Sequence, residues 1–210
     1  ARTMIAAALE KIANDVCRAH YGGLTQEAPL TARIGQALEG KVKDIDLKEY
    51  CIRVITSDIP DRGRGSLESK LGADLYVGVE VAAGGIKQSK GFLVQAKWST
   101  AVRPGDIEKL NNQCQTMLER SKDSYVWVYG STGVRVIPAE RIVKGPRIKR
   151  FGGGQLKDLF GRVLECTAGD RTLGIPSKGN SRRRVEAILK ELNVSNGIGI
   201  IIKQNQAVQT

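Results

Sequence analysis

The chain contains 210 residues, of which 41% are hydrophobic and 26% are charged, with a formal net charge of +11 at pH 7. A chain of this length and composition can bury a core by itself, which excludes a disordered protein, a collagen and a coiled coil. No apolar run approaches the roughly 20 residues that cross a bilayer, and the apolar stretch before Glu10 is too short for a signal peptide. We therefore expect a cytoplasmic protein without membrane contact.

The cysteine and histidine content argues against several kinds of site. The four cysteines form no Cys-x-x-Cys pair, so neither a zinc site nor a disulfide framework is expected. His20 is the single histidine, which argues against serine–histidine catalysis. We interpret the cysteines as small buried apolar residues.

Apolar residues at helical spacing predict two helices at the start of the chain. The first covers residues 3–20. The second begins near Pro29, a residue favoured in the first helical turn, and ends at Gly40. Residues 50–56 then form a strand, and the composition of residues 58–66 indicates a loop.

The middle of the chain predicts a sheet. Strands over residues 74–81 and 91–98, separated by a glycine-containing turn, form an antiparallel hairpin as the economical pairing. An amphipathic helix follows at residues 105–122. Residues 125–129 form an apolar strand without alternation, which indicates a central position with both faces covered, and residues 134–137 form a further strand. These elements predict an α/β fold in which helices flank a central mixed sheet.

The C-terminal part predicts two more helices and a last strand. Residues 152–154 are three glycines that indicate a flexible joint. Apolar spacing predicts helices over residues 155–166 and 182–192, the second capped by Ser181. Residues 197–203 form a short apolar strand.

The excess positive charge is concentrated in one stretch. Residues 133–184 contain 13 basic and 4 acidic residues, whereas the rest of the chain is close to neutral. We divide the chain into a core, residues 1–143, and a basic C-terminal extension, residues 144–210, for which packing on the same domain remains open.

A concentrated basic field attracts polyanions, so we expect nucleic acid as the partner. The low aromatic content of 5% argues against a surface that stacks single-stranded bases, and phosphate contacts should dominate. A solvated basic face without a partner is the alternative. The residues expected to bind phosphate near the site are Lys144, Arg147, Lys149, Arg150, Arg182, Arg183 and Arg184.

The residues most indicative of chemistry lie in the strand over residues 92–98. Because strand side chains alternate, Gln95 and Lys97 share the face opposite an entirely apolar one. Hairpin pairing brings Asp74, which opens the preceding strand, beside them. A carboxylate, an amide oxygen and an ammonium group then converge, and Mg²⁺ is commonly held by one or two carboxylates and further oxygen ligands.

This arrangement resembles the PD-(D/E)xK nuclease superfamily, which has a restriction-endonuclease-like fold. Asp74, a hairpin, Gln95-x-Lys97, a helix and a core strand follow one another as in that superfamily, and the glutamine resembles its Mrr-like branch. Residues 68–74, Glu-Ser-Lys-Leu-Gly-Ala-Asp, and residues 94–97, Val-Gln-Ala-Lys, resemble the signature of restriction-endonuclease-like proteins of prokaryotes.

Two positions depart from the superfamily pattern. Ala73 precedes the aspartate where the motif has proline, and Gln95 stands where an acid is usual. The glutamine removes one negative charge from the metal site, so a glutamate must compensate or metal binding is weak. The upstream glutamate that the resemblance implies is Glu27, which matches better than Glu10, and Glu68 is the alternative.

The resemblance implies a Mg²⁺ site, with Mn²⁺ able to substitute, held by Asp74, Gln95 and either Glu27 or Glu68. Gln113, a polar residue within the apolar stripe of its helix, is a further candidate, with a satisfied core amide as the structural alternative. Glu80 shares the face of Asp74 but lies about 20 Å further along the strand, which is too far for the same metal. The implied catalytic residues are Asp74, Gln95, Lys97, Glu27, Glu68 and Gln113.

The function that these residues imply is a Mg²⁺-dependent nuclease that hydrolyses phosphodiester bonds in double-stranded DNA, in a restriction or phage-defence setting. A homodimer and a partner subunit of a defence system both remain compatible with the sequence. The alternative is a catalytically inactive nucleic-acid-binding module or subunit with the same fold. A basic RNA-associated protein, in which Gln95-x-Lys97 is accidental, is a third and weaker alternative.

Overall fold

A computed structural model of the chain describes residues 1–45, 47, 49–59, 71–100, 103–145 and 153–205. The α-helices in these ranges are α1 (Arg2–His20), α2 (Glu27–Lys41), α3 (Pro104–Arg120), α4 (Ala139–Lys144), α5 (Leu156–Leu164) and α6 (Ser181–Leu192). The strands are β1 (Tyr50–Asp58), β2 (Leu75–Ala83), β3 (Ile86–Trp98), β4 (Ser124–Gly130), β5 (Gly133–Pro138), β6 (Gly154–Gln155) and β7 (Asn196–Gln204).

The strands form one mixed sheet with the order β1-β7-β2-β3-β4-β5-β6. The predicted hairpin is confirmed, because β2 and β3 are antiparallel neighbours. Strand β4 is parallel to β3, and α3 connects them, as a parallel pair requires a crossover. The protein is therefore an α/β protein in which helices flank a seven-stranded mixed sheet.

The last strand of the chain lies inside the sheet. Strand β7 is parallel to β2 on one side and antiparallel to β1 on the other. Helix α6 packs closely on it: a Cβ placed at Gly199 would lie 2.6 Å from the side chain of Val185. The C-terminal extension thus supplies a strand that separates β1 from β2.

The two faces of the sheet carry separate apolar clusters. Helices α1, α2 and α5 cover one face, where the large buried residues include Leu9, Leu30, Ile34, Phe92, Trp127 and Phe160. Helices α3, α4 and α6 cover the other face, where the cluster includes Tyr76, Leu93, Cys114, Met117, Val126 and Leu189. The alternation predicted for β3 is confirmed, since Phe92 and Leu93 belong to opposite clusters.

Several predicted boundaries require correction. Helix α2 begins at Glu27, two residues before Pro29, and continues through Gly40 to Lys41. The cap of α6 is Asn180, whose side-chain oxygen accepts a hydrogen bond from Arg183 N at 3.0 Å. Helix α4 has no counterpart in the sequence prediction, because its six residues are too few to show a period.

The cysteines and the glycines at 152–154 also differ from the prediction. Only Cys17 and Cys114 are buried, whereas Cys51 and Cys166 are exposed, so the burial expected of all four is wrong for two. Of the predicted glycine joint, Gly154 belongs to strand β6, where it pairs with Val136, while Gly152 lies outside the described residues.

A buried ion pair connects α6 with β2. Glu80 is 1% exposed, and its carboxylate accepts a hydrogen bond from the guanidinium of Arg184 and pairs with Lys87 Nζ at 3.1 Å. Arg184 also donates through Nε to the backbone oxygen of Pro176. Arg184 is one of the basic residues predicted to bind phosphate, but its guanidinium is buried and paired with Glu80 and therefore not exposed to a ligand at the surface.

We expect Glu80→Gln to lower the free energy of unfolding by about 3–5 kcal/mol, because the variant leaves the buried guanidinium of Arg184 without a countercharge. Urea denaturation at pH 7 measures the change. Glu140→Gln is the matched control, since its partner Lys144 is exposed and the stability should not change measurably. Equal denaturation midpoints for the two variants would contradict the assigned role of the buried pair.

Candidate active site

The hairpin places Asp74 and Gln95 side by side. Asp74 N donates to Val94 O at 2.9 Å, and Leu75 lies opposite Val94 in the register of β2 and β3. Continuing that register by one residue sets Asp74 opposite Gln95. Lys97 follows two residues later on the same face of β3, the face that α3 covers.

A cavity of about 680 Å³ lies at this end of the sheet, between the beginning of α2 and the side of α3. Five of the residues predicted from the sequence line it, namely Glu27, Asp74, Gln95, Lys97 and Gln113. Helix α3 adds four polar residues, which are Glu108, Lys109, Asn112 and Thr116. The structure therefore brings together the predicted carboxylates, amides and lysine.

The carboxylate of Asp74 is held by two donors. Its Oδ2 accepts hydrogen bonds from Gln95 Nε2 and from Ala96 N, the latter at 3.1 Å. Burial raises the pKa of Asp74 to about 6, although the bond from Ala96 N and the charge of Lys97 act in the opposite direction. A cation beside this carboxylate would therefore relieve an unfavourable buried charge.

Two amide oxygens in the cavity lack a hydrogen-bond partner within the described part of the chain. They are Oε1 of Gln95 and Oε1 of Gln113, and both atoms are buried. The amide nitrogen of Gln95, by contrast, donates to Asp74 and to Ala96 O at 3.2 Å. A buried acceptor without a donor costs about 1–3 kcal/mol, so these oxygens are suited to a ligand that accepts their lone pairs.

Glu27 reaches the cavity from the opposite helical layer. It is the first residue of α2, and its Oε1 accepts a hydrogen bond from Trp98 N at 3.3 Å, at the end of β3. Thr31 fixes this turn of α2, because its hydroxyl donates to Glu27 O at 3.1 Å and hydrogen-bonds the buried hydroxyl of Tyr129 at 2.7 Å. The carboxylate of Glu27 is thus anchored through both the helix and the sheet.

Gly72 allows the segment before Asp74 to pack against α3. Its φ of +72° lies in the left-handed region, and a Cβ at this position would lie 2.5 Å from Gln113 O. The close approach brings Gln113 into the same cavity as Asp74. At the same end of β2, strand β7 supports the segment, because Asn196 Nδ2 donates to Asp74 O at 3.2 Å.

The remaining acidic candidates are not at the cavity or cannot be placed. Glu68 lies outside the described residues, so its alternative role stays a prediction. Glu10 accepts a hydrogen bond from Lys157 N at 2.8 Å, between α1 and α5. Glu80 is committed to Arg184, in agreement with its exclusion from the metal site.

The predicted basic residues have different surroundings. Lys144 pairs with Glu140 on α4, and Arg182 pairs with Glu39 at 2.9 Å and donates to Thr56 O at 2.7 Å. Arg183 is exposed. The other three, Arg147, Lys149 and Arg150, lie outside the described residues.

The sequence prediction missed the contribution of α3 beyond Gln113. Lys109, Asn112 and Thr116 recur at helical spacing of three and four residues, so they share one face of the helix with Gln113. This polar stripe is present in the sequence, but the prediction for this helix used its apolar stripe and, of the polar residues, Gln113 alone. The position of Asn196 carried no local signal.

Among the described residues, no group of three or more His, Cys, Asp or Glu is arranged to hold a metal ion. Of the three carboxylates that line the cavity, Glu27 and Asp74 accept hydrogen bonds from the end of β3, while Glu108 lies on α3. Glu27 and Asp74 are accompanied by the two amide oxygens that lack a partner in the described part of the chain. All four groups are oxygen donors, which suits a hard cation such as Mg²⁺ and does not suit a metal that prefers nitrogen or sulfur.

Comparisons of the chain with models of protein families, with curated proteins and with solved structures found no match. In the described part of the chain, no helix is long and apolar enough to cross a membrane.

We expect Asp74→Asn to stabilise the metal-free protein at pH 7.5 by up to about 3 kcal/mol, because it removes a buried charge. The folded pKa of about 6 lies above the ordinary 3.8, so the folded state retains a proton that the unfolded chain releases. Wild-type stability should therefore fall as the pH rises from about 4 to 6, and the gain from the variant should vanish below pH 4.

Urea denaturation in EDTA across this pH range measures the effect. Asp15→Asn is the control, since hydrogen bonds from Lys11 and Arg18 lower the pKa of the Asp15 carboxyl and its replacement should give no gain at pH 7.5. An Asp74→Asn protein that is no more stable than wild type at pH 7.5 would refute the buried-charge assignment.

Proposed function

We propose that the protein is a Mg²⁺-dependent nuclease of the PD-(D/E)xK superfamily, with a restriction-endonuclease-like fold, that hydrolyses phosphodiester bonds in DNA. The observation that carries this proposal is the cavity in which Asp74, Gln95 and Lys97 converge, where Oε1 of Gln95 and of Gln113 lack a partner among the described residues. A restriction or phage-defence role is the setting that the resemblance favours.

The order of elements supports the proposal. The resemblance requires an acid at the start of one hairpin strand and an amide-x-lysine pattern on the other, followed by a helix and a core strand. Strands β2 and β3, helix α3 and strand β4 have this order, and Asp74 and Lys97 stand at the corresponding positions.

The donor set supports a magnesium site. Asp74 and Glu27 would supply carboxylate oxygens, and Gln95 and Gln113 would supply the amide oxygens that lack partners within the described ranges. When bound, Mg²⁺ supplies Lewis acidity and lowers the pKa of a coordinated water, and Mn²⁺ is expected to substitute. Each donor comes from a different element or strand, so the fold holds them before any substrate arrives.

Lys97 has the position expected of a group that acts on the phosphate. Its ammonium lies on the same strand face as Gln95 and lines the cavity with Asp74. There it can donate hydrogen bonds to a phosphate oxygen or orient the attacking water, and it offsets the negative charge that develops on phosphate.

The substrate class follows from charge. The net charge of +11, with 13 basic residues between positions 133 and 184, attracts a polyanion. Phosphate contacts of this kind position a nucleic acid without reading its sequence. Duplex DNA is the substrate that the resemblance favours, and RNA is a substrate that the assay must include.

We expect Asp74→Ala and Lys97→Ala each to reduce cleavage by about 100-fold or more, because each removes a group that acts at the reacting phosphate. The assay measures cleavage of plasmid, linear duplex, single-stranded DNA and RNA with Mg²⁺, Mn²⁺ or EDTA. Lys203→Gln is the control. Lys203 is exposed near the far end of β7, about 23 Å along the strand from Asn196, so this variant should cleave at the wild-type rate.

Thermal unfolding gives a second readout that does not require activity. Mg²⁺ should raise the melting temperature of the wild-type protein and not that of Asp74→Asn. An Asp74→Ala protein that cleaves as fast as wild type would refute the metal-site assignment. Binding of nucleic acid and Mg²⁺ by a wild-type protein that cleaves none of the substrates would favour the inactive binding module instead.

We also expect Gln95→Glu to bind Mg²⁺ more tightly than wild type, because it adds a carboxylate beside Asp74 and so increases the negative charge of the site. The same variant should be less stable without metal, since two carboxylates would then face each other. Thermal unfolding against Mg²⁺ concentration measures both effects. Unchanged Mg²⁺ dependence would show that Gln95 does not contribute a metal ligand.

A further inference from the structure

We propose that the exposed side of α3 binds the phosphate next to the scissile phosphate, through Lys109 and Asn112. This inference rests on the proposed nuclease function and adds to it the path of the cleaved strand. The strand would leave the cavity across Asn112 and continue along α3 toward Gly145.

The first observation is the arrangement of α3 itself. Lys109, Asn112, Gln113 and Thr116 recur at helical spacing and all line the cavity that contains Asp74. From Pro104 to Thr116 the helix rises about 18 Å, which is as long as about five nucleotides of one strand of a duplex. An ammonium, an amide and a hydroxyl are the groups that contact phosphate oxygens in nucleic-acid complexes.

The second observation is the charge of the cavity. Its carboxylates are Glu27, Asp74 and Glu108, and its cations are Lys97 and Lys109. Lys97 lies beside Asp74 and Gln95, where the scissile phosphate would be bound. Burial raises the pKa of Asp74, and the charges of Lys97 and Lys109 both act in the opposite direction, so both lysines act on the negatively charged part of the cavity. A phosphate next to the scissile one would meet repulsion from Glu108, which the positive charge of Lys109 in the same cavity reduces.

The third observation is a second cavity of about 370 Å³ that continues from the first. The two share Glu108 and Asn112, and the second extends over Ile107 to Ile142 and Gly145. The sequence after Gly145 carries Arg147, Lys149 and Arg150. The two cavities thus give a continuous path along α3 from Asp74 to Gly145, the described residue that precedes this basic sequence.

We expect Lys109→Gln to reduce the slope of log affinity against log salt by about one unit and to weaken binding about 10-fold at 0.1 M salt, because one phosphate contact is lost. Lys109→Arg should restore most of the affinity. In the cleavage assay, KM should rise while kcat stays close to the wild-type value, since Lys109 does not touch the reacting phosphate. Asn112→Ala should raise KM in the same manner with a smaller change in slope.

The binding experiment uses a short labelled DNA duplex and fluorescence anisotropy over a range of salt concentrations, with the full chain in EDTA so that no cleavage occurs. Lys203→Gln is the matched control for the loss of one exposed lysine. If log affinity falls with log salt at the same slope for Lys109→Gln as for Lys203→Gln, the inference is overturned. A fall in kcat with unchanged KM would also overturn it, because Lys109 would then act in the chemical step.

The outcomes separate this inference from the nuclease proposal. A wild-type protein that binds DNA with a Lys109-dependent slope but never cleaves would refute the nuclease and leave the phosphate site in place. Cleavage with a slope independent of Lys109 would refute the phosphate site alone. A wild-type protein that binds no nucleic acid would refute both.

Discussion

The candidate site depends on the register between β2 and β3. Ala96 N donates to the carboxylate of Asp74 at 3.1 Å, and Asp74 N donates to Val94 O at 2.9 Å, so two hydrogen bonds fix the start of one strand against the end of the other. A slip of one residue would turn Gln95 and Lys97 into the apolar layer beneath α1 and α2. The apolar cluster on that side, with Phe92 and Val94 fully buried, opposes such a slip.

The same register creates a site that is unfavourable without a ligand. It buries the carboxylate of Asp74, whose pKa rises to about 6, and leaves Oε1 of Gln95 and of Gln113 without partners in the described residues. Elsewhere the fold compensates its buried charges: Glu80 has Arg184 and Lys87, and Lys90 donates to Cys166 O and Ala168 O. A buried carboxylate and two buried amide oxygens without partners in one cavity are the pattern expected of a binding site.

Local features were predictable from the sequence because they depend on neighbours along the chain. The period of two in β3 assigned Gln95 and Lys97 to one face, and the helical period located α1, α3 and α6 to within a few residues. The hairpin turn at Gly84 and Gly85, both with positive φ, placed Asp74 near Gln95. These short-range relations were enough to predict the α/β class and the convergence of Asp74, Gln95 and Lys97.

The choice among the more distant candidates depends on contacts between segments far apart in the chain, which no local pattern specifies. Glu27 enters the cavity through its bond to Trp98 N, and Gln113 enters through the close approach that Gly72 permits. The insertion of β7 between β1 and β2 had no local signal, since any apolar strand can pair at several positions in a sheet. Burial also distinguishes two neighbours that the sequence presents as one basic run. Arg184 is buried and its charge is compensated by Glu80, whereas Arg183 is exposed.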